Sequence, residues 1–211
     1  MPIGVNDKGV GSSIRAAYRL RQARIKSRPA PSRSRVPDDG ATIASRAIDT
    51  KRTAMTPAVK TLQAAGIAHE IRHYEAGEAT GDYGIDAAKR LGLSPDEVFK
   101  TLVAETDAHA LVVALVPVSG RLNLKKLAAT IKSKKAVMAN PDRVEKTTGY
   151  VIGGVSPLGQ KKRLETIIDN SAKRLLQMHV SGGRRGLELS LEPFSLAELT
   201  GARFADIADA N

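Results

Sequence analysis

Apolar and polar positions from residue 55 onward follow two periods, each bounded by residues that cap helices or turn the chain. Thr56 as N-cap, Pro57 at the first helical position and Gly66 after the last apolar residue predict a helix of about ten residues. Ile67, His69, Ile71 and His73 alternate with Ala68, Glu70, Arg72 and Tyr74, which predicts a strand from Ile67 to Tyr74. A second helix is predicted near Tyr83–Leu91, stopping at Gly92. Ser94-Pro95-Asp96-Glu97 reads as a capping box that opens a short third one. Val98–Glu105 and Ala110–Pro117, apolar on both faces, predict two adjacent central strands joined through Thr106-Asp107-Ala108-His109. Asn123 caps a helix to about Lys132, Ala136–Met138 is a short strand, and Asn140-Pro141 opens a helix that Gly149 closes. Gly-rich turns separate strands near Thr166–Asp169, Gln177–Val180 and Leu187–Leu191, and Ser195 with Glu198 caps a last short helix. Strands outnumber crossover helices without regular alternation, so the expectation for residues 55–211 is one α+β domain on a mixed sheet, not a Rossmann fold.

Charge divides the chain differently. Residues 1–54 hold 12 of the 33 Lys and Arg residues against 4 of the 22 Asp and Glu, and Ser27–Arg35 is rich in Pro, Ser and Arg. Such a composition buries too little surface to offset ordering entropy, so residues 1–54 are expected to be a disordered basic extension. It reads as a dispensable extension, a basic arm for nucleic acid or a transit peptide. The stretch Ile14–Lys26 lacks the clean apolar face that the last would need. The chain has no Cys, which removes disulfides and thiolate nucleophiles. Its longest apolar run, Ala110–Val118, is about half the ~20 residues of a membrane span, so a soluble protein is expected.

Three constellations could carry chemistry. His69-Glu70-Ile71-Arg72-His73 is a literal H-E-x-x-H, which on a helix would place two zinc ligands on one face, the signature of a metalloprotease. In the predicted strand the glutamate faces away from both histidines, so no metal site is expected. Lys100 shares a strand face with Leu102 and Ala104, where an ammonium needs a partner or an anionic ligand, or else snorkels to water. The glycine-rich loops Gly149–Arg163 and Ser181–Gly186 could bring backbone N–H groups to a phosphate or an oxyanion. With no visible Ser/His/Asp order or carboxylate pair, an enzyme here would work by positioning and backbone polarisation.

Met55–Lys60, Phe99-Lys100-Thr101-Leu102, Leu124-Lys125-Lys126, Thr148-Gly149-Tyr150, Gly153–Lys162 and Val180–Leu187, in this order, resemble the YbaK-type aminoacyl-tRNA deacylases, relatives of the editing domain of bacterial prolyl-tRNA synthetases. The resemblance spans residues 55–211 and leaves out residues 1–54, which favours the dispensable-extension reading. It implies a mixed, barrel-like sheet flanked by helices, a cytoplasmic location, no cofactor and no metal. The implied partners are aminoacyl-tRNA and, as a further candidate, prolyl-tRNA synthetase, with no membrane. The implied activity is trans-acting hydrolysis of mischarged tRNA without a protein nucleophile, with Cys-tRNA(Pro) the foremost substrate and Cys-tRNA(Cys) a second. A non-catalytic tRNA- or synthetase-binding module of the same fold is the alternative.

Carried onto this chain, the resemblance assigns Lys100, Thr101, Gly153 and Gly154 to catalysis. It assigns Tyr74, Ser156, Pro157, Ser181 and Gly182 to substrate binding. Glu188 stands where some relatives have Asp and is set aside.

Overall fold

The computed structural model describes residues 55–77 and 82–210, so the expectations placed on residues 1–54 lie outside the described residues. Along the chain run α1 (Pro57–Ala64), β1 (His69–His73), α2 (Tyr83–Leu91), β2 (Val98–Thr106), β3 (Leu111–Pro117) and β4 (Gly120–Leu122). Then come α3 (Leu124–Thr130), β5 (Ala136–Met138), α4 (Pro141–Thr148), β6 (Glu165–Asp169), β7 (Met178–Ser181) and β8 (Leu187–Leu191). The described chain ends in α5 (Pro193–Thr200), β9 (Arg203–Ala205) and β10 (Ala208–Ala210).

Eight strands form one mixed sheet in the order β1-β8-β7-β2-β3-β6-β9, with β5 as a second neighbour of β2, and β4 pairs with β10 apart from it. The apolar run that predicted β3 is buried along its whole length, because β2 lies antiparallel on one side and β6 parallel on the other. The expected mixed sheet with flanking helices is therefore present, although β1 and β9 at its ends do not pair to close a barrel.

Side-chain alternation divides the core between the two faces of the sheet. Phe99, Val103, Leu115, Ile168 and Leu189 lie in one cluster, and Ala104, Ala114, Val116, Ile167 and Leu127 in the other. Each fully buried Leu, Ile or Phe contributes about 1.5–3 kcal/mol. Asp169 fixes the C-terminal end: its carboxylate accepts from the N–H groups of Ser171 at 2.9 Å and of Ile207 and Ala208 at 3.0 Å. Burial pushes this carboxyl up, but Ser171 and those N–H groups outweigh it and hold the pKa below the ordinary aspartate value.

The expected elements are present except where capping signals misled. Ser94–Glu97 is a turn: Ser94 Oγ accepts from Asp96 N–H, the Glu97 N–H bonds back to the Ser94 carbonyl, and the chain passes straight into β2. The last helix starts at Pro193, two residues before the expected Ser195 cap. Glu192 is its N-cap, and Ser195 hydroxyl donates to the Glu192 carboxylate. The three-residue strands β4, β9 and β10 are too short to show a period and were not expected.

Candidate active site

The central strand β2 loses its neighbour on one edge for part of its length. There β7 pairs only with Val98 and Phe99, while β5 pairs only with Ala104, Glu105 and Thr106. Between them lies a slot in the sheet beside Lys100–Val103. Strand alternation says which groups face it. The carbonyls of Glu97 and Val103 point to this edge, accepting from His179 N–H at 2.9 Å and Ala139 N–H at 3.0 Å. Thr101, spaced by two residues from Val103, directs its own N–H and C=O to the same edge, where no described strand receives them.

A cavity of about 590 Å³ occupies the slot, a volume typical of small-molecule sites. Lys100 and Leu102 line it from one face of β2 and Thr101 and Val103 from the other. Met138 and Ile152 form an apolar rim that is open to solvent. Lys100 is half-buried and makes no ion pair with a described residue. The hydroxyl of Thr101 is buried without a hydrogen-bond partner among the described residues.

Glu188 closes the deep side. It lies on β8 opposite Ser181 of β7, only 6% exposed, and its Oε2 has no hydrogen-bond partner among the described residues. Burial pushes its pKa up to about 8, so the side chain is a neutral acid at pH 7. Tyr74, whose N–H bonds to the Gly186 carbonyl at 3.1 Å, borders the same cavity. Burial, and then the Glu188 carboxyl, pushes its phenol up.

The glycine-rich loops meet above the slot. Gly153 lines the cavity with φ +84°, and a Cβ there would lie 2.9 Å from Arg185 Nε and 3.1 Å from the Tyr83 ring. Its N–H makes no hydrogen bond among the described residues. Arg185 stacks on Tyr83, donates to its hydroxyl at 2.6 Å and reaches the Ile152 carbonyl at 3.4 Å.

Of the residues assigned to a site from sequence, Tyr74, Lys100, Thr101, Gly153 and Ser181 line the cavity. Gly154, Ser156, Pro157 and Gly182 do not. They are buried behind it and shape the loops. The Gly154 N–H is bonded to the Val151 carbonyl, and the carbonyl of Gly182 accepts from the Thr56 hydroxyl at 2.5 Å. A Cβ on Gly154 would stand 2.9 Å from Arg184 Cα, so the two loops touch there because that side chain is absent. Sequence reading did not assign Asp82, Tyr83 or Glu188 to the cavity they line.

The H-E-x-x-H segment is β1, as its alternation predicts. Glu70 and Arg72 pair at 2.9 Å on one face, while Ile71 packs on the core from the other. No described histidine lines the cavity. The close Ser–His contact, Ser190 Oγ to His179 Nδ1 at 2.6 Å, is buried outside it.

A mixed α/β domain with a preformed slot through its sheet is a substrate-holding architecture, and comparison with known proteins gives its class. The chain belongs to the aminoacyl-tRNA editing domain family, whose sequence model matches residues 79–199. It is a hydrolase of the kind that acts on aminoacyl-tRNA. A protein of Enterococcus faecalis (strain ATCC 700802 / V583), named as a proposed Cys-tRNA(Pro)/Cys-tRNA(Cys) deacylase, EbsC, is 39% identical over 120 residues, which are 57% of this chain and 73% of that protein. Among solved structures, that of the hypothetical protein APE2540 is 25% identical with a TM-score of 0.66, covering 73% of this chain and 100% of its own. A structure described as a proposed trans-editing enzyme for prolyl-tRNA synthetase has a TM-score of 0.65 over 73% of this chain and 96% of its own. At 24% identity it supports the fold. Among the described residues, no helix is long and apolar enough to cross a membrane.

Proposed function

We propose that the domain, taken to begin at Met55, hydrolyses mischarged aminoacyl-tRNA in trans, with Cys-tRNA(Pro) as its foremost substrate and Cys-tRNA(Cys) as a second. The observation that carries this reading is the Thr101 backbone N–H, which opens into the slot where β2 has no neighbour. An aminoacyl ester is already activated, so hydrolysis needs the 3′ end held, the carbonyl polarised and water admitted. The N–H groups of Thr101 and Gly153 serve as polarising donors, and such a donor is worth about 2.7–4 kcal/mol in the transition state. Lys100 holds a phosphate or ribose oxygen of the terminal nucleotide, while Met138 and Ile152 offer its base an apolar surface. Tyr74, Ser181 and the neutral Glu188 bound the acyl group. Prolyl-tRNA synthetase, which the similar trans-editing structure is said to serve, is a candidate partner that would present the mischarged tRNA.

A deacylation panel tests this: the purified chain with Cys-tRNA(Pro), Ala-tRNA(Pro), Pro-tRNA(Pro) and Cys-tRNA(Cys), with and without synthetase. Fastest turnover of Cys-tRNA(Pro) is expected. Tight tRNA binding with no hydrolysis of any member would instead establish a non-catalytic tRNA-binding module.

A further inference from the structure

Helix α4 separates the cavity from a second concavity. Val144 on α4 lines the first, while Arg143 and Thr147 line the second, a groove of about 660 Å³. Its cationic rim comes from two segments: Lys132 and Lys134 between α3 and β5, and Lys162 and Arg163 before β6. All four are exposed, and none makes an ion pair with a described residue. Two acids also line it: Glu165 is paired with Arg203 at 2.5 Å, whereas Asp107, which feels the charge of Lys134, accepts from the Ser133 hydroxyl and keeps its own charge. The groove therefore carries a local excess of positive charge, although residues 55–211 as a whole hold 21 basic and 18 acidic side chains.

The groove is also preformed. The Ser133–Asp107 bond ties the Lys132–Lys134 segment to the β2–β3 turn. Arg143 pairs with Glu105 at 2.6 Å and donates to the His109 carbonyl at 2.5 Å, tying α4 to the same turn. The other cationic segment is held to the end of α4 by Lys161 N–H to Thr148 O at 3.0 Å and Lys162 N–H to Thr147 O at 3.2 Å. The charged groups thus project from fixed walls rather than from a free loop.

We propose that this groove binds the phosphate backbone of the acceptor stem of the tRNA whose 3′ end enters the slot. Four exposed cations against the one carboxylate, Asp107, that has no ion pair among the described residues leave an excess that matches a polyanion, and phosphate contacts fix register without reading sequence. No Phe, Tyr or Trp lines the groove among the described residues, and its one ring, His109, is held by the Glu105 carboxylate at 2.7 Å, which favours backbone over base recognition. A helix is about 10–12 Å across, so the two sites lie within reach of one RNA end. The inference rests on the deacylase reading only for the identity of the RNA.

The test uses the full chain and a variant carrying Lys132→Gln, Lys134→Gln, Lys162→Gln and Arg163→Gln. Binding of uncharged tRNA is measured against salt, and hydrolysis is measured on cysteinyl-adenosine, a nucleoside ester that carries no phosphate for the groove to hold. The variant is expected to bind tRNA at least tenfold more weakly, with the slope of log K against log salt reduced by about 3, at roughly 0.7–0.9 per lost contact. Its hydrolysis of the nucleoside ester should match that of the unaltered chain. An unchanged slope overturns the groove assignment even if hydrolysis is normal. A reduced slope in a protein that hydrolyses no ester upholds the groove and removes the deacylase reading. Unchanged tRNA binding with lost binding to prolyl-tRNA synthetase assigns the groove to an acidic protein surface and overturns the RNA proposal.

Discussion

The guanidinium of Arg185 lies 4.1 Å from the centre of the Tyr83 ring and donates to that residue's own hydroxyl at 2.6 Å, joining positions 102 residues apart. The pair sits against Gly153, so a surface contact fixes a backbone N–H proposed to polarise substrate. Arg185→Ala is expected to lower kcat of deacylation about tenfold while costing no more than about 1 kcal/mol of stability, the scale of an exposed cation–π contact. Lys at 185 restores the charge but not the fork and should rescue only in part. Gly153→Ala, forced to positive φ and against two side chains, should cost more activity than Arg185→Ala. Paired kinetics and thermal melts check both, and a loss of Tm that tracks the loss of kcat would make the contact merely structural.

Lys100 has no ion-pair partner to lose among the described residues, so Lys100→Ala should leave stability unchanged or slightly raised. Deacylation should fall about 100-fold, the loss of roughly 2.7 kcal/mol in the transition state. Lys100→Arg should rescue poorly. Unfolding of Lys100→Ala, with normal turnover in the folded remainder, would show that Lys100 belongs to the framework instead.

Glu188 carries a pH dependence whose sign is fixed by burial. Its folded pKa, about 8, lies above the usual 4.5, so the folded state holds its proton over that interval and stability falls as pH rises through it. Glu188→Gln mimics the neutral acid. It is expected to gain stability over the unaltered chain at pH 9, by up to about 5 kcal/mol, and little at pH 4. Denaturant midpoints at the two pH values measure this. An equal effect at both would refute the buried neutral carboxyl.

Asp169 has the opposite sign. Its depressed pKa contributes stability that is present above the unfolded value of 3.8 and is lost as pH falls through the folded value. Asp169→Ala leaves the N–H groups of Ile207 and Ala208 without their acceptor and is expected to cost about 2–3 kcal/mol at pH 7. The penalty should shrink as pH falls from the unfolded value of 3.8 through the lower folded one, and acid titration of both proteins follows it.

His69 and His73 tolerate replacement if β1 is only an edge strand. The paired change to Gln should keep activity within about twofold, and chelators should not alter turnover. Stoichiometric zinc bound by the purified protein and released by the mutations would contradict this.

Much of this was legible in local sequence. Val98–Glu105 and the β3 run are apolar on both faces, and Asn140-Pro141 with Gly149 delimits α4, because caps and full burial leave marks on neighbouring residues. Lys100 was legible for the same reason, as a charge within such a strand. Glu188 was not, because it alternates with Leu187 and Leu189 just where a solvent-facing residue would stand. Only Tyr74 and the neighbouring strand, brought in from elsewhere in the chain, turn that outward face into a pocket wall. The Tyr83–Arg185 pair and the slot are equally non-local. The slot depends on where β7 and β5 stop along β2, which no single segment encodes.

Because the gap beside Thr101 is made by strand ends, its donors belong to the peptide chain and survive replacement of any lining side chain that keeps the fold. On the proposed mechanism, carbonyl polarisation and choice of acyl group are thereby separable: the first rests on backbone donors, the second on Tyr74, Leu102, Ser181, Glu188 and their neighbours around the opening. A domain organised this way can be retuned from one misacylated tRNA to another by a few substitutions at the wall, with no need to invent its chemistry again.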